Sequence, residues 1–208
     1  SKGKPVLIAS GASTQDEVDI AMTTLSKHTN DIVLMQCNTN YTASLENFKY
    51  INLNVLKEYS RKYPNTILGL SDHTPGHATV LGAVALGARV IEKHFTDDMN
   101  REGPDHQFSM DPGAWKDMVD RTRELENSLG LEIKKVENNE KETVILQRRA
   151  IRTKRGLMAG DIILEDGLEF LRPCPEDALP PYKLEEILNK ELSEDIKSGD
   201  CIKWTSIK

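Results

Sequence analysis

The first 130 residues alternate short apolar runs with longer stretches of helical periodicity, and that alternation constrains the fold more than anything else in the chain. Val6 to Ser10 (VLIAS) ends just before a glycine, and Val18, Ile20, Ala21 and Leu25 follow at helix-compatible spacings within Gln15–His28. Ile32 to Cys37 (IVLMQC) precedes a predicted helix over Phe48–Lys62, and Thr66 to Ser71 (TILGLS) precedes a small-residue helix over Ala78–Ala88. Arg89 to Phe95 (RVIEKHF) is a fourth run, before an amphipathic helix over Ala114–Leu129. Short strands alternating with helices of about ten residues or more predict consecutive βα units with parallel strands, an α/β fold. The runs are apolar through most of their length, as expected of a parallel sheet covered on both faces. Such units suit an open doubly wound sheet or part of a (β/α)₈ barrel. Both architectures place ligands at the C-terminal ends of strands, so the polar residues found there (Ser10; Cys37, Asn38 and Asn40; Ser71 and His73; His94) leave the two open.

From about Leu131 the pattern changes. Glu132 to Glu142 is charge-rich, and residues 132–149 read as a linker or exposed helix. Residues 150–208 carry short apolar pieces broken by turn signals at Arg155-Gly156, Ala159-Gly160, Asp166-Gly167 and Ser198-Gly199, with helix-like turns at Glu165–Leu168 and Leu184–Asn189. This predicts a separate, small, loop-rich module. The expected organisation is thus residues 1–131, a connector over 132–149, and a second domain over 150–208.

A net charge of −6 with interspersed signs does not attract nucleic acid or anionic membranes, although a local basic pocket for an anionic substrate remains compatible with it. Cys37, Cys174 and Cys201 are widely spaced and fit no zinc or redox motif, so free thiols in a reducing compartment are expected. No apolar run approaches the roughly 20 residues that span a bilayer. The opening Ser1-Lys2-Gly3-Lys4 is too short and polar for a signal peptide, and the cytoplasm is the expected location.

The residues with chemistry cluster at strand ends. In Ser71-Asp72-His73, period-two geometry puts Ser71 and His73 on one side and Asp72 on the other, and Glu92 shares a face with His94 in the same way. If both faces line one mouth, two imidazoles converge from adjacent strands about 5 Å apart, a plausible divalent-metal site with room for water and a substrate oxygen. Two unrelated histidines, each capping a strand or bonded in the core, meet the same spacing. Gly103-Pro104-Asp105-His106 is either an ordinary turn or a loop folded over the mouth that brings Asp105 and His106 in as acid or base groups. Asn38-Thr39-Asn40-Tyr41 offers donors for phosphate or sugar hydroxyls, but taken alone such a sequence is more often a turn. Arg172 stands alone before Pro173.

Taken in order, GLSDHT (Gly69–Thr74), ALGARVIEKHFT (Ala85–Thr96) and GPDHQFSM (Gly103–Met110) resemble the sialic-acid synthases, which make N-acetylneuraminic, legionaminic and pseudaminic acids. KPVLIASGAS (Lys4–Ser13) resembles a mid-barrel strand of that family, and RTKRGLMAGDIILEDGLEFLRP (Arg152–Pro173) its antifreeze-like (SAF) C-terminal domain. The resemblance implies the C-terminal half of a (β/α)₈ TIM barrel joined to a small β-rich domain. It implies a transferase that condenses phosphoenolpyruvate with an N-acylated amino sugar: the phosphoenolpyruvate C3 attacks the sugar aldehyde, water adds at C2, and phosphate leaves with C–O cleavage. By the same resemblance His73 and His94 bind Mn²⁺ or Mg²⁺, and Asp105 lies beside the reacting groups. Ser10, Asn40, Tyr41 and Ser71 contact phosphate or sugar, and Arg172 reaches the N-acyl group in a partner subunit's site, which implies a domain-swapped homodimer.

The family's first barrel strands, with the Glu and Lys residues that handle phosphoenolpyruvate, have no counterpart here. These residues alone are therefore expected to be inactive and to behave poorly, because half a parallel barrel exposes strand edges and an apolar lumen. RPCPEDALPP also departs from the Gly usual after Arg-Pro in the family. QCNTNYTASLENFKYINL (Gln36–Leu53) resembles the legionaminate-type branch, which favours a 2,4-diacetamido-6-deoxy sugar as acceptor, with N-acetylmannosamine next. Two competing functions are another phosphoenolpyruvate-dependent deoxy-sugar-acid synthase, which would lack the antifreeze-like tail, and a non-catalytic carbohydrate-binding protein, which has no need of the histidine pair.

Overall fold

The computed structural model describes residues 3–42 and 44–208; Ser1 and Lys2 of the polar opening, and Ala43, lie outside the described residues. The chain forms two compact units, Ser1–Leu131 and Glu132–Lys208.

In the first unit β1 (Val6–Ala9), β2 (Ile32–Cys37), β3 (Ile67–Asp72) and β4 (Val90–Lys93) alternate with α1 (Gln15–Ser26), α2 (Val55–Lys62), α3 (Ala78–Ala85) and α4 (Pro112–Leu129). The sheet runs β1-β2-β3-β4 with every pair parallel. A doubly wound sheet reverses its order at a switch point, whereas sequential order with crossovers of one hand keeps the helices on one face. Here Ile8, Ile32, Leu34, Leu68, Leu70 and Ile91 pack with Val18, Met22, Leu56, Tyr59, Val80, Val84 and Met118 of the helices. The result is a half-barrel of parallel strands. On the other face Leu7 is 53% exposed, so the sheet is not covered on both sides as the apolar runs suggest.

That open face is filled in its middle. A Cβ on Gly69 would lie 2.7 Å from Met35 Cγ and 2.9 Å from the Val90 carbonyl oxygen, so the missing side chain gives Met35 its place over the sheet. The tips of β3 and β4 are locked from the helix side. Asp72 faces Lys93 across the ladder, and Lys93 Nζ sits 2.6 Å from Asp72 Oδ2 with both side chains buried.

Local chemistry sets the helix ends. Thr14 and Glu17 form a reciprocal capping box on α1, and the Asp111 carboxylate accepts from the Ala114 amide at the start of α4, with proline in the first turn. The single helix predicted over Phe48–Lys62 is instead a 3₁₀ segment, Leu45–Tyr50, followed by α2. Asn52 between them adopts φ 50°, a left-handed conformation that asparagine tolerates and that no helix can contain. The turn is tied to the sheet by Gln36, whose Nε2 donates to the Ile51 carbonyl at 2.9 Å.

The second unit opens with a 3₁₀ turn, Asn138–Glu140, and α5 (Lys141–Gln147). β5 (Ala150–Thr153) and β6 (Leu168–Leu171) pair antiparallel, and α6 (Leu184–Ile187) follows. Isolated bridges such as Leu157↔Ile196 and Leu192↔Ile207 supply the remaining β structure, around a core that includes Ile151, Ile163, Ile187, Leu192 and Ile202. All three cysteines are free thiols. Among the described residues no helix is long and apolar enough to cross a membrane.

Two expectations follow from these contacts. Gly69→Ala puts a methyl group against backbone as well as Met35, and should destabilise the first unit by about 1–3 kcal/mol in denaturant unfolding. Asp19 on α1 is bound by Lys62 and Tyr63 of the α2 end and by Gln15, and these hydrogen bonds, that from Lys62 foremost, bring its carboxyl down from 3.8 to about 2. A lowered carboxyl stabilises the folded state above its ordinary value and loses that contribution as pH falls toward the folded one. The α1–α2 tie should therefore hold down to about pH 4 and weaken between there and pH 2, with Asp19 titrating near 2 by carboxyl NMR. Tyr63→Phe should move that midpoint upward.

Candidate active site at the strand tips

His73 and His94 are the first residues beyond β3 and β4. The strand alternation that turns Asp72 and Lys93 toward the helices turns these two imidazoles to the other face, where their ring centroids are 5.1 Å apart. His73 is buried and its Nδ1 lies 3.0 Å from the Asn38 carbonyl oxygen. A carbonyl can only accept, so Nδ1 carries a proton, and in the neutral ring Nε2 is then the nitrogen with the lone pair. Asp105 Oδ2 lies 3.6 Å from His94 Nδ1, an ion-pair separation longer than a hydrogen bond.

Aromatic rings wall the pair. Phe108, 3% exposed, has its centroid 5.0 Å from His94, and Tyr41 lies over His73 at 4.3 Å. Beside them Ser71 donates to Glu92 Oε1 at 2.9 Å, as the Ser71↔Glu92 register requires. The parity of the strand had put Glu92 on the face of His94, but nothing else in the sequence singled it out as a third polar group at the tips.

Asp105 arrives on a loop closed at its base by the Phe95↔Met110 bridge, with the Met110 amide donating to the His94 carbonyl at 2.9 Å. Inside the loop the buried Thr96 hydroxyl donates to the Asp98 carbonyl at 3.1 Å, and accepts from the Asp98 amide at 3.2 Å and from His106 Nδ1 at 2.7 Å. One proton and two lone pairs are thereby all used. A Cβ on Gly103 would stand 2.7 Å from His106 Cδ2, so the imidazole occupies a slot that glycine leaves open. His106 thus faces into its own loop, where the sequence allowed it to join Asp105 at the mouth; Asp105 alone reaches the histidine pair.

The other predicted residues are more dispersed. Ser10 is buried, and its hydroxyl donates to the Met35 carbonyl at 3.1 Å; it lines a cleft with Gln36, Cys37, Asn38 and Tyr50. Asn40 Oδ1 accepts from Asn47 Nδ2 at 3.5 Å, and the same Asn47 amide donates to Thr42, which organises the loop that carries Tyr41. Arg172 belongs to the second unit, where its Nε donates to the Gln147 carbonyl at 2.6 Å. Among the described residues no three His, Cys, Asp or Glu side chains cluster as a ready metal cage, and the nitrogen donors at the tips are the two imidazoles.

Residues 1–134 match the NeuB family and residues 148–208 match the SAF domain. The chain belongs to the NeuB family. It is 36% identical over 206 residues to an uncharacterized protein of Methanocaldococcus jannaschii, covering 99% of this chain and 59% of that one. It is 34% identical over 213 residues to the N,N'-diacetyllegionaminic acid synthase of Legionella pneumophila, covering 100% of this chain and 58% of that one. Among solved structures it matches the spore coat polysaccharide biosynthesis protein SpsE of Bacillus subtilis, with a TM-score of 0.55 at 31% identity, covering 99% of this chain and 61% of that one. The chain therefore spans less than two thirds of the length of these relatives.

Thr96→Val keeps the shape of the side chain and removes the node on which the loop closes. It should cost about 1–3 kcal/mol, the penalty for unpaired buried polar groups, and should speed hydrogen exchange at the Ser109 amide.

Proposed function

We propose that the intact protein is a phosphoenolpyruvate-dependent synthase that joins phosphoenolpyruvate to an N-acylated amino sugar, giving a nonulosonic acid and phosphate. The observation that carries this reading is the pair of imidazoles 5.1 Å apart at adjacent strand tips of a NeuB-family sheet, with Asp105 beside one of them. The sequential strand order and the open face of the sheet support a complete (β/α)₈ barrel in the intact protein, with further βα units against the edges of β1 and β4.

The donor set fits a hard-to-borderline divalent ion. His73 offers Nε2 because its Nδ1 donates to a backbone carbonyl, an arrangement typical of metal-ligating histidines. His73 and His94 would hold Mn²⁺ or Mg²⁺, which when bound supplies Lewis-acid polarisation of the sugar aldehyde. Asp105 stands 3.6 Å from the His94 ring and is a carboxylate able to hold or deliver a proton at the aldehyde oxygen. Ser71 orients Glu92 on the same face. Phe108, itself buried, packs against the His94 ring and Tyr41 against the His73 ring, which lowers the polarity on that side of the pair.

The acceptor in this reading is a 2,4-diacetamido-6-deoxy sugar, supported by the likeness to the Legionella pneumophila enzyme. Arg172 reads as a contact to the N-acyl group in the site of a second copy, which makes the working form a homodimer, and phosphoenolpyruvate as co-substrate sets the reaction in the cytoplasm.

Incubated with phosphoenolpyruvate, Mn²⁺ and the diacetamido sugar, the intact protein should release inorganic phosphate, and chelation should abolish the release. His94→Ala should lower kcat/KM by at least about a hundredfold. No phosphate release with this sugar or with N-acetylmannosamine would sink the assignment, whereas a preference for N-acetylmannosamine would overturn only the choice of acceptor.

A further inference from the structure

We propose that the buried Asp72–Lys93 pair is a positioning device for the two imidazoles, setting the spacing that a shared divalent ion requires. The inference rests on reading His73 and His94 as holders of such an ion. Asp72 and Lys93 face each other in the ladder, each stands one residue before a histidine, and their side chains are 0% and 1% exposed. The Lys93 ammonium donates to Asp72 Oδ2 and to the Thr74 carbonyl, both at 2.6 Å. The Asp72 carboxylate also accepts from the Thr74 amide at 3.1 Å, the Thr74 hydroxyl at 2.9 Å and the Thr79 hydroxyl at 2.6 Å.

Stability alone does not account for this cluster. Two charges taken out of water lose solvation that their attraction barely restores, and an apolar pair of similar volume is often as stable or more so. A charge pair tied to named partners by directional hydrogen bonds adds geometry that an apolar pair lacks. The residues on either side of His73, Asp72 and Thr74, are both fixed to one ammonium group, and that group is carried by the residue before His94. The two histidine backbones are therefore coupled through Lys93 across the point where the ladder ends. Metal ligands tolerate errors of only about 0.2 Å, and beyond the last ladder pair no backbone ladder joins the two tips, so the ion pair is the tie that runs directly from one to the other.

The double variant Asp72→Asn/Lys93→Met removes both charges while conserving volume, and so avoids the unpaired buried charge that either single substitution leaves. In the intact protein it should melt close to wild type and bind Mn²⁺ about 10–100-fold more weakly by isothermal titration calorimetry, the range seen when outer-shell partners of metal ligands are removed. A folded double variant that binds Mn²⁺ within twofold of wild type overturns the inference. So does a double variant that cannot fold, since the pair would then serve stability first. Wild-type protein that binds no Mn²⁺ fails the metal reading itself, and the inference falls with it.

Discussion

A lysine ammonium and an aspartate carboxylate, 2.6 Å apart beneath two strand tips, tie together the strands that carry His73 and His94. Strand alternation does the rest. One residue further along each strand the side chains reverse direction, and the histidines stand on the opposite face from the ions that anchor them. The helix-side packing of Leu68, Leu70, Val80 and Ala83 keeps water from the pair, and the three hydroxyl or amide donors around Asp72 meet the remaining demand of a buried carboxylate.

Above the tips the supporting structure changes in kind. Asp105 is carried by a loop without regular secondary structure, held by the Thr96 hydroxyl with every bonding position used and by the Ser109 hydroxyl, which donates to the Asp105 carbonyl at 2.6 Å. The histidines are thus held by strands and an ion pair, and the carboxylate by a small internal hydrogen-bond node. Under the function proposed above, that division suits a site in which metal-ligating groups must be stiff and a proton-handling group must come close to a substrate that enters and leaves.

Much of this was legible in the residues. Apolar runs of sheet length placed the four strands to within a residue or two, because a strand whose helix-facing side is buried must be apolar there whatever surrounds it. The convergence of His73 and His94 followed from parity, and the observed 5.1 Å matches the expected inter-strand spacing. Three features were not legible, each because a tertiary contact decided between local options. Asn52 breaks a helix that the apolar periodicity runs straight through, since the Ile51 carbonyl is claimed by Gln36. His106 looks like a second group at the mouth until Thr96 and Gly103 give its ring a slot inside the loop. Burial of the sheet on both faces was inferred from strands whose non-helix side is partly filled by Met35 over Gly69 and partly open at Leu7.

The sequential order of the sheet also bears on how the molecule comes into being. Every ladder of this sheet joins strands that are neighbours in the chain, so each closes over a single crossover: α1, then the 3₁₀ segment with α2, then α3. The ladder with the shortest sequence separation is the last, Gly69↔Val90 through Asp72↔Lys93, and the widest is Val33↔Ile67. Loop-closure entropy grows with the length closed, and contacts near in sequence form soonest. The histidine pair therefore stands just beyond the ladder of this sheet whose closure costs the least chain entropy.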